Sequence, residues 1–207
     1  MLDKNLTMFR RDEGEHIFFT SDTHWHHSKI IEFCNRPWTT TEEMNEGLIE
    51  RWNAKVGKND IIFHLGDFAW GGFEKWKSIL ERLNGRIVLI MGNHDDKNLS
   101  ELTKPYFEHI THQMKIVVGD RPIYLNHYPF LCFGGAYRNV WQLYGHVHSV
   151  HEDNPRYGSG PDYPRLKYLM ANQYDVGVDL NNFEPINFFE VETRINEQIN
   201  HKENDKN

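Results

Sequence analysis

The chain is poor in cysteine, short of positive charge, and without a long apolar run. Its 207 residues include two cysteines, Cys34 and Cys132. That is too few for a disulfide framework, and reduced thiols in a cytosol are the simpler reading. Lysine and arginine number 23 against 30 aspartates and glutamates, a formal net charge of -7. Such a balance argues against an extended basic footprint for long nucleic acid. It does not exclude a small phosphate-bearing substrate, because bound cations can reverse the local field. No apolar segment has the length that spans a bilayer, and residues 1–11 lack the apolar core of a signal peptide. The expectation is a cytoplasmic protein with no membrane partner. Repeats, long linkers and low-complexity tracts are also missing. One domain is therefore expected over residues 1–192, followed by a polar, frayed tail over 193–207.

What is present is a globular composition, 39% hydrophobic and 14% aromatic, with 13 histidines. A chain of this size buries a core without staples. Residues 16–20 predict a strand. Thr39, Thr40 and Thr41 before Glu42 and Glu43 form a helix start of capping-box type, and Met44, Leu48, Ile49, Trp52 and Val56 recur at helical spacing. Strand 61–63, a second amphipathic helix through Phe73, Trp76, Ile79, Leu80 and Leu83, and strand 87–91 follow. Strand, helix, strand, helix, strand argues for parallel βαβ units. Further on, 114–118 and 122–126 flank Gly119-Asp120 as a hairpin, and 140–144, 175–180 and 186–191 read as strands. Two packed sheets with outer helices fit this order better than one doubly wound sheet.

The stretch from Arg86 to Asp95 shows where the chemistry lies. A short apolar run, Ile-Val-Leu-Ile-Met, stops at Gly92 and presents Asn93, His94 and Asp95. Alone, this is equally a Gly-Asn turn before a helix cap. Four more polar clusters follow apolar strands: Asp22-Thr23-His24, Gly66-Asp67, Asn126-His127 and Gly145-His146-Val147-His148. Each has a bland alternative as a turn or a hydrogen-bonded core histidine, but strand ends on one side of a sheet converge in space. In Asp22-x-His24 and His146-x-His148, an extended backbone would point both side chains the same way. Carboxylate, imidazole and amide donors without thiolate suit Mn, Fe, Zn or Ni.

These five clusters, in this order, resemble the calcineurin-like metallophosphoesterases, whose pattern is D-x-H, G-D, G-N-H-D/E, H and G-H-x-H. The likeness covers nearly the whole chain except the tail. It implies an α/β four-layer sandwich, two mixed β-sheets flanked by helices, and a site for two divalent or transition metal ions. By this resemblance Asp22, His24 and His148 hold one metal with Asp67, which bridges to a second completed by Asn93, His127 and His146. His94 is left as a non-ligand that protonates the leaving group, oriented by Asp95. The implied activity is a phosphoesterase with a hydroxide shared between the cations, acting on a phosphodiester of a nucleotide or other small molecule. A phosphomonoesterase is the near alternative; a non-catalytic binding module and an exonuclease are the more distant ones.

Trp25-His26-His27 and Asn35-Arg36-Pro37 resemble a segment of small bacterial and phage-like members, which offers His27 and Arg36 as contacts to the substrate phosphate. The alternative for Arg36 is an ion pair with a surface carboxylate. His64 reads as a packing residue or as a support for the ligands. The long connection 149–172 is a candidate lid, with Arg156, Tyr157, Arg165 and Lys167 as candidate substrate contacts. Substrate identity, native metals and oligomeric state are left open by the sequence.

Overall fold

A computed structural model describes residues 6–204. The strands form two sheets of five. One runs β1 (Met8–Phe9), β6 (Gln113–Val118), β7 (Arg121–Asn126), β8 (Trp141–Tyr144), β9 (Gln173–Asp175). The other runs β10 (Ile186–Asn187), β2 (Ile17–Thr20), β3 (Ile61–His64), β4 (Arg86–Ile90), β5 (His109–Thr111). Only the β6–β7 and β10–β2 pairs are antiparallel, so both sheets are mixed.

The unbroken apolar strands have a direct cause. Successive residues point to opposite faces, and both faces of the β2–β3–β4 layer are buried. Ile17, Phe19, Ile61, Phe63, Val88 and Ile90 enter the core between the sheets, where they meet Ile116, Ile123, Leu125, Trp141 and Leu143. Phe18, Ile62, Ile87 and Leu89 point the other way, into a second core. Helices α1 (Ser28–Phe33), α2 (Thr41–Lys55) and α3 (Phe73–Leu80) close that core with Ile30, Met44, Leu48, Trp52, Trp76 and Ile79. α2 begins as its sequence predicts: Glu43 N–H donates to Thr40 Oγ1 (3.1 Å), and the Glu43 carboxylate accepts from Thr40 N–H (3.3 Å). A short α4 (Asp95–Asn98) follows β4, and loops and the short α5 (Tyr163–Leu166) lie over Tyr144, on the outer face of the other sheet.

Three expected elements differ from those found. His16 closes a 3-10 turn, Arg11–His16, and the strand starts at Ile17. The strand expected over 175–180 ends at Asp175, whose carboxylate accepts the N–H of Gly177 (2.8 Å) and turns the chain. The strand expected over 186–191 pairs for two residues and then becomes helix α6 (Phe188–Asn204). Asn187 causes the switch: its Oδ1 accepts from Phe189 and Glu190 N–H (3.0 Å each), while Glu190 accepts from Asn187 N–H (2.7 Å). The segment expected to fray from Thr193 is thus helical through Asn204, with Val191 and Ile195 buried in the inter-sheet core.

Candidate metal centre

Parallel β2, β3 and β4 deliver their carboxyl ends to one edge, and β7, β8 and β9 deliver theirs beside it. A bridge between Ser21 and Gly177 ties the two edges together. The loops that leave these strands are not extended. Asp22, His24, Asp67, His146 and His148 hold φ of 57°, 50°, 56°, 72° and 48°, a left-handed conformation costly for non-glycine residues and concentrated at functional sites. The alternation expected of an extended segment is therefore replaced. Asp22 and His24 still meet, but His146 and His148 separate into different groups.

Among the described residues three groups of donors form, of which one, Cys34, His148 and Asp179, shares His148, and the other two meet at Asp67. Asp22, His24 and His148 make one, with His24 Nε2 4.0 Å and His148 Nε2 3.8 Å from Asp22 Oδ1. Asp67, His127 and His146 make the other, with His127 Nε2 3.6 Å from Asp67 Oδ1 and 3.2 Å from Asn93 Oδ1. Asp67 lies between them, its Oδ2 3.5 Å from His24 Nε2. His94 stands beside the groups. Its backbone N–H donates to Asp67 Oδ1 (3.0 Å), and its Nε2 lies 3.9 Å from Asp67 Oδ2. It follows Asn93 in a helical, not extended, conformation.

Beneath the donors lies a layer that fixes which imidazole nitrogen faces inward. His127 Nδ1 donates to the Leu65 carbonyl (2.7 Å), which leaves Nε2 as its free donor atom. His148 Nδ1 donates to Asp179 Oδ2 (2.7 Å), with the same consequence. Gly66 N–H donates to His64 Nδ1 (3.2 Å), so His64 Nε2–H donates to Thr23 Oγ1 (2.9 Å), and Thr23 passes on to the Phe68 carbonyl (2.9 Å). Burial pushes His64 down to about 3, so it stays neutral as a strut for the first ligand loop.

Arg36, expected to contact substrate, and Asp95, expected to orient His94, belong to this layer instead. Arg36 is fully buried, and all five of its N–H groups are spent on the protein. It forks onto Asp179 (2.9 and 3.0 Å), caps the carbonyls of Thr23 (2.9 Å) and Asp22 (2.7 Å), and meets Met44 Sδ (3.5 Å). It pairs with a carboxylate, but a buried one. Asp95 does not orient His94. Its carboxylate accepts the backbone N–H groups of Asp67 (2.8 Å), Phe68 (2.9 Å) and Gly92 (2.8 Å), lacing two ligand loops together.

The charge balance of the centre favours a cation. Burial and then Asp22 push Asp67 up, and burial holds Asp95 up at about 7. Burial, reinforced by His148, drives His24 well below its ordinary value, while Asp22 and Asp179 outweigh burial and raise His148. Asp22 Oδ1, His24 Nε2 and His146 Nδ1 are buried without a hydrogen bond among the described residues. Orphaned donors of this kind are costly unless something binds them. The glycines keep the space open: a Cβ at Gly92 would collide with Asp67 and His127, and one at Gly145 with Ser21 and Asp22. Orphaned atoms, fixed tautomers and an N/O donor set together fit metal ions.

A family model described as calcineurin-like phosphoesterase matches residues 15–197. The chain belongs to the calcineurin-like phosphoesterase family. It is 33% identical over 172 residues to an uncharacterised protein of Methanocaldococcus jannaschii, covering 82% of this chain and 85% of that one. It is 30% identical over 159 residues to the gene 66 protein of Mycobacterium phage D29, covering 64% of this chain and 78% of that protein. A protein of unknown function from Aquifex aeolicus has a similar solved structure, with a TM-score of 0.62 at 26% identity, covering 86% of this chain and 97% of the other. Two mixed sheets flanked by helices are the fold of this family, and the clustered donors make the chain a candidate metal-binding member of it. Among the described residues no helix is long and apolar enough to cross a membrane.

In this family member the donors floor an open cleft. His27, His94, Trp70, Phe33, Arg156 and Asp162 form its walls. His27 stacks under Trp70, its Nδ1 buried without a hydrogen-bond partner among the described residues. Connection 149–172 splits the residues expected of it. Arg156 lines both the cleft and a hollow behind His148, where Tyr157 and Lys167 join it. Arg165 pairs with Asp162 (2.9 Å), and Asp162 Oδ2 lies 3.7 Å from His146 Nε2. Sequence reasoning missed Asp179, Asp162, Trp70 and Tyr128, whose hydroxyl donates to Asn93 Oδ1 (3.3 Å). Tyr128 directly follows the expected ligand His127 and was findable; Asp179 lies inside an apparent strand and carried no signal.

Proposed function

We propose that this chain is a dinuclear metal-dependent phosphoesterase that hydrolyses a phosphodiester of a nucleotide or another small molecule. The observation that carries this reading is the position of Asp67 between two donor groups, with one oxygen toward His24 and the other toward His127. Asp22, His24, Asp67 and His148 would hold one ion, and Asp67, Asn93, His127 and His146 the other, with Mn, Fe, Zn or Ni as the fitting metals. When bound, two such ions act as Lewis acids on the phosphoryl oxygens and bring the pKa of water toward neutrality.

The chain's own groups supply orientation and protons. His94 is held to Asp67 by its backbone N–H and is 38% exposed in its side chain, so it can reach a departing oxygen and donate a proton to it. His27 offers its orphaned Nδ1 to a phosphoryl oxygen. Arg156 lines the cleft with one guanidinium nitrogen buried and without a hydrogen bond among the described residues. A half-buried guanidinium with one nitrogen left without a partner would be satisfied by donating to an anion, such as a non-bridging phosphoryl oxygen. The same groups serve a monoester, so substrate choice decides between the two chemistries.

The test is a panel of phosphodiesters and phosphomonoesters offered to the Mn-loaded protein, run beside elemental analysis. Two metals per chain, diester turnover, and loss of metal from both sites in Asp67→Asn are the expected results. One tightly held zinc that survives Asp67→Asn would sink the dinuclear assignment. Turnover of monoesters alone would reassign the substrate class.

A further inference from the structure

Of the six tryptophans in the chain, Trp25, Trp52, Trp76 and Trp141 are fully buried, while Trp70 is 39% exposed. Its exposure is not the result of a loose segment. Trp70 N–H donates to the Trp25 carbonyl (2.8 Å), beside the bridge of Trp25 to Ala69, and the next residue, Gly71, donates its N–H to Asn98 Oδ1 (3.0 Å). The backbone thus holds an indole at the rim of a polar centre, where leaving apolar area in water is unfavourable. The ring is also pre-positioned. His27 lies nearly parallel against it, with centroids 4.6 Å apart and planes 12° apart, and His94 flanks it at 5.2 Å. The imidazole covers one face, so the accessible area lies on the other face and the edge. Phe33, 58% exposed, and Ile30 line the same cleft. His27 is one ring away from the proposed ligand His24, with centroids 5.4 Å apart.

We infer that Trp70, backed by His27, is a stacking platform for the base of a nucleoside phosphate whose phosphate sits on the metal donors. This deepens and rests on the function proposed above: it names the part of the substrate that is not phosphate. In a nucleoside phosphate a sugar separates the phosphate from the base, as the His27 ring here separates the indole from His24. An aromatic face accepts any base, because every base has a π-face, so the platform selects nucleosides without selecting among them.

The test uses two ligands that differ only in the base. The metal-loaded protein is titrated with AMP and with ribose 5-phosphate, following tryptophan emission within the mixing time and, separately, equilibrium binding. AMP should quench emission and bind roughly 5- to 150-fold tighter than ribose 5-phosphate, with UMP on the same side of the comparison. Trp70→Ala should bring AMP down to the affinity of ribose 5-phosphate without changing the latter. Trp70→Phe should keep part of the preference, and unchanged metal content will show that the centre is intact. Equal affinities for the two ligands in the unaltered protein would overturn the platform, as would a Trp70→Ala that weakens both equally. If turnover of esters persists in either case, the platform alone has failed. If neither ligand binds and no ester is turned over, the phosphoesterase reading fails with it.

Discussion

A general acid matters in proportion to how badly the leaving oxygen needs a proton. A nitrophenolate departs as a stable anion; an alkoxide or a nucleoside oxygen does not. In the proposed mechanism His94 has that task, tethered to Asp67 through its backbone and lining the cleft. His94→Ala should therefore keep its metals, lose little on a nitrophenyl ester, and lose about 10²–10⁴-fold on an alkyl ester. Equal losses on both esters would make His94 a charge stabiliser instead. The adjacent Asp95 makes a sharp contrast, because its carboxylate serves three backbone N–H groups that link the loops after β3 and β4. An amide has one acceptor oxygen, so Asp95→Asn should leave at least one buried N–H unsatisfied, at a cost of about 1–3 kcal/mol. The expected signature is a lower melting temperature with no dependence on leaving group, read by calorimetry and the same pair of esters. A leaving-group dependence matching that of His94→Ala would restore Asp95 as its orienting partner.

At the scale of elements, the strands that carry the donors were legible because a parallel strand buried on both faces must be continuously apolar, and polar residues can begin only where it ends. Ile87, Val88, Leu89 and Ile90 before Asn93 show this directly. The loops were not legible, since left-handed φ at Asp22 or His148 leaves no mark on composition. Residues 175–180 misled for a physical reason. Val176 and Val178 alternate as in a strand, and each does donate a backbone N–H, Val176 to Tyr144 (2.9 Å) and Val178 to Ser21 (3.1 Å). The chain is crossing from one sheet to the other, so one valine joins each core and Asp179 emerges beneath His148. α6 misled in the opposite sense. Its polar surface suggests a tail, yet it presents Val191 and Ile195 to the inter-sheet core at 0% exposure. Ile195→Ala should cost about 2–5 kcal/mol in a chemical denaturation curve, as for any large-to-small change in a packed core. A cost below about 0.5 kcal/mol, normal for a surface site, would return this segment to the status of a frayed tail.

The molecule as a whole carries its excess negative charge inward as well as outward. Among its described residues the buried carboxylates are Asp22, Asp67, Asp95, Asp175 and Asp179, and the buried lysines and arginines reduce to Arg36. Five carboxylates against one guanidinium leave four negative charges when all are ionised, the charge that two divalent cations carry. Without such cations, burial pushes Asp67, Asp95 and Asp175 up, Asp95 to about 7 and Asp175 to about 6, so these three resist ionisation in the folded state, whereas Arg36 outweighs burial and holds Asp179 down. Metal binding and folding are coupled on this account, because the five aspartates reach one place only in the folded chain. Chelation at neutral pH should lower the melting temperature by roughly 5–10 °C, taking about 2.7 kcal/mol for a ligand at a hundred times its dissociation constant and about 2–4 °C per kcal/mol for a chain of this size. Readdition of manganese should restore it. Asp67→Asn, whose amide leaves one fewer buried charge to neutralise, should respond less to the chelator. A melting temperature that stays constant while elemental analysis shows the metals leaving would mean that the buried carboxylates are compensated by the protein alone, and that the centre is not built around cations.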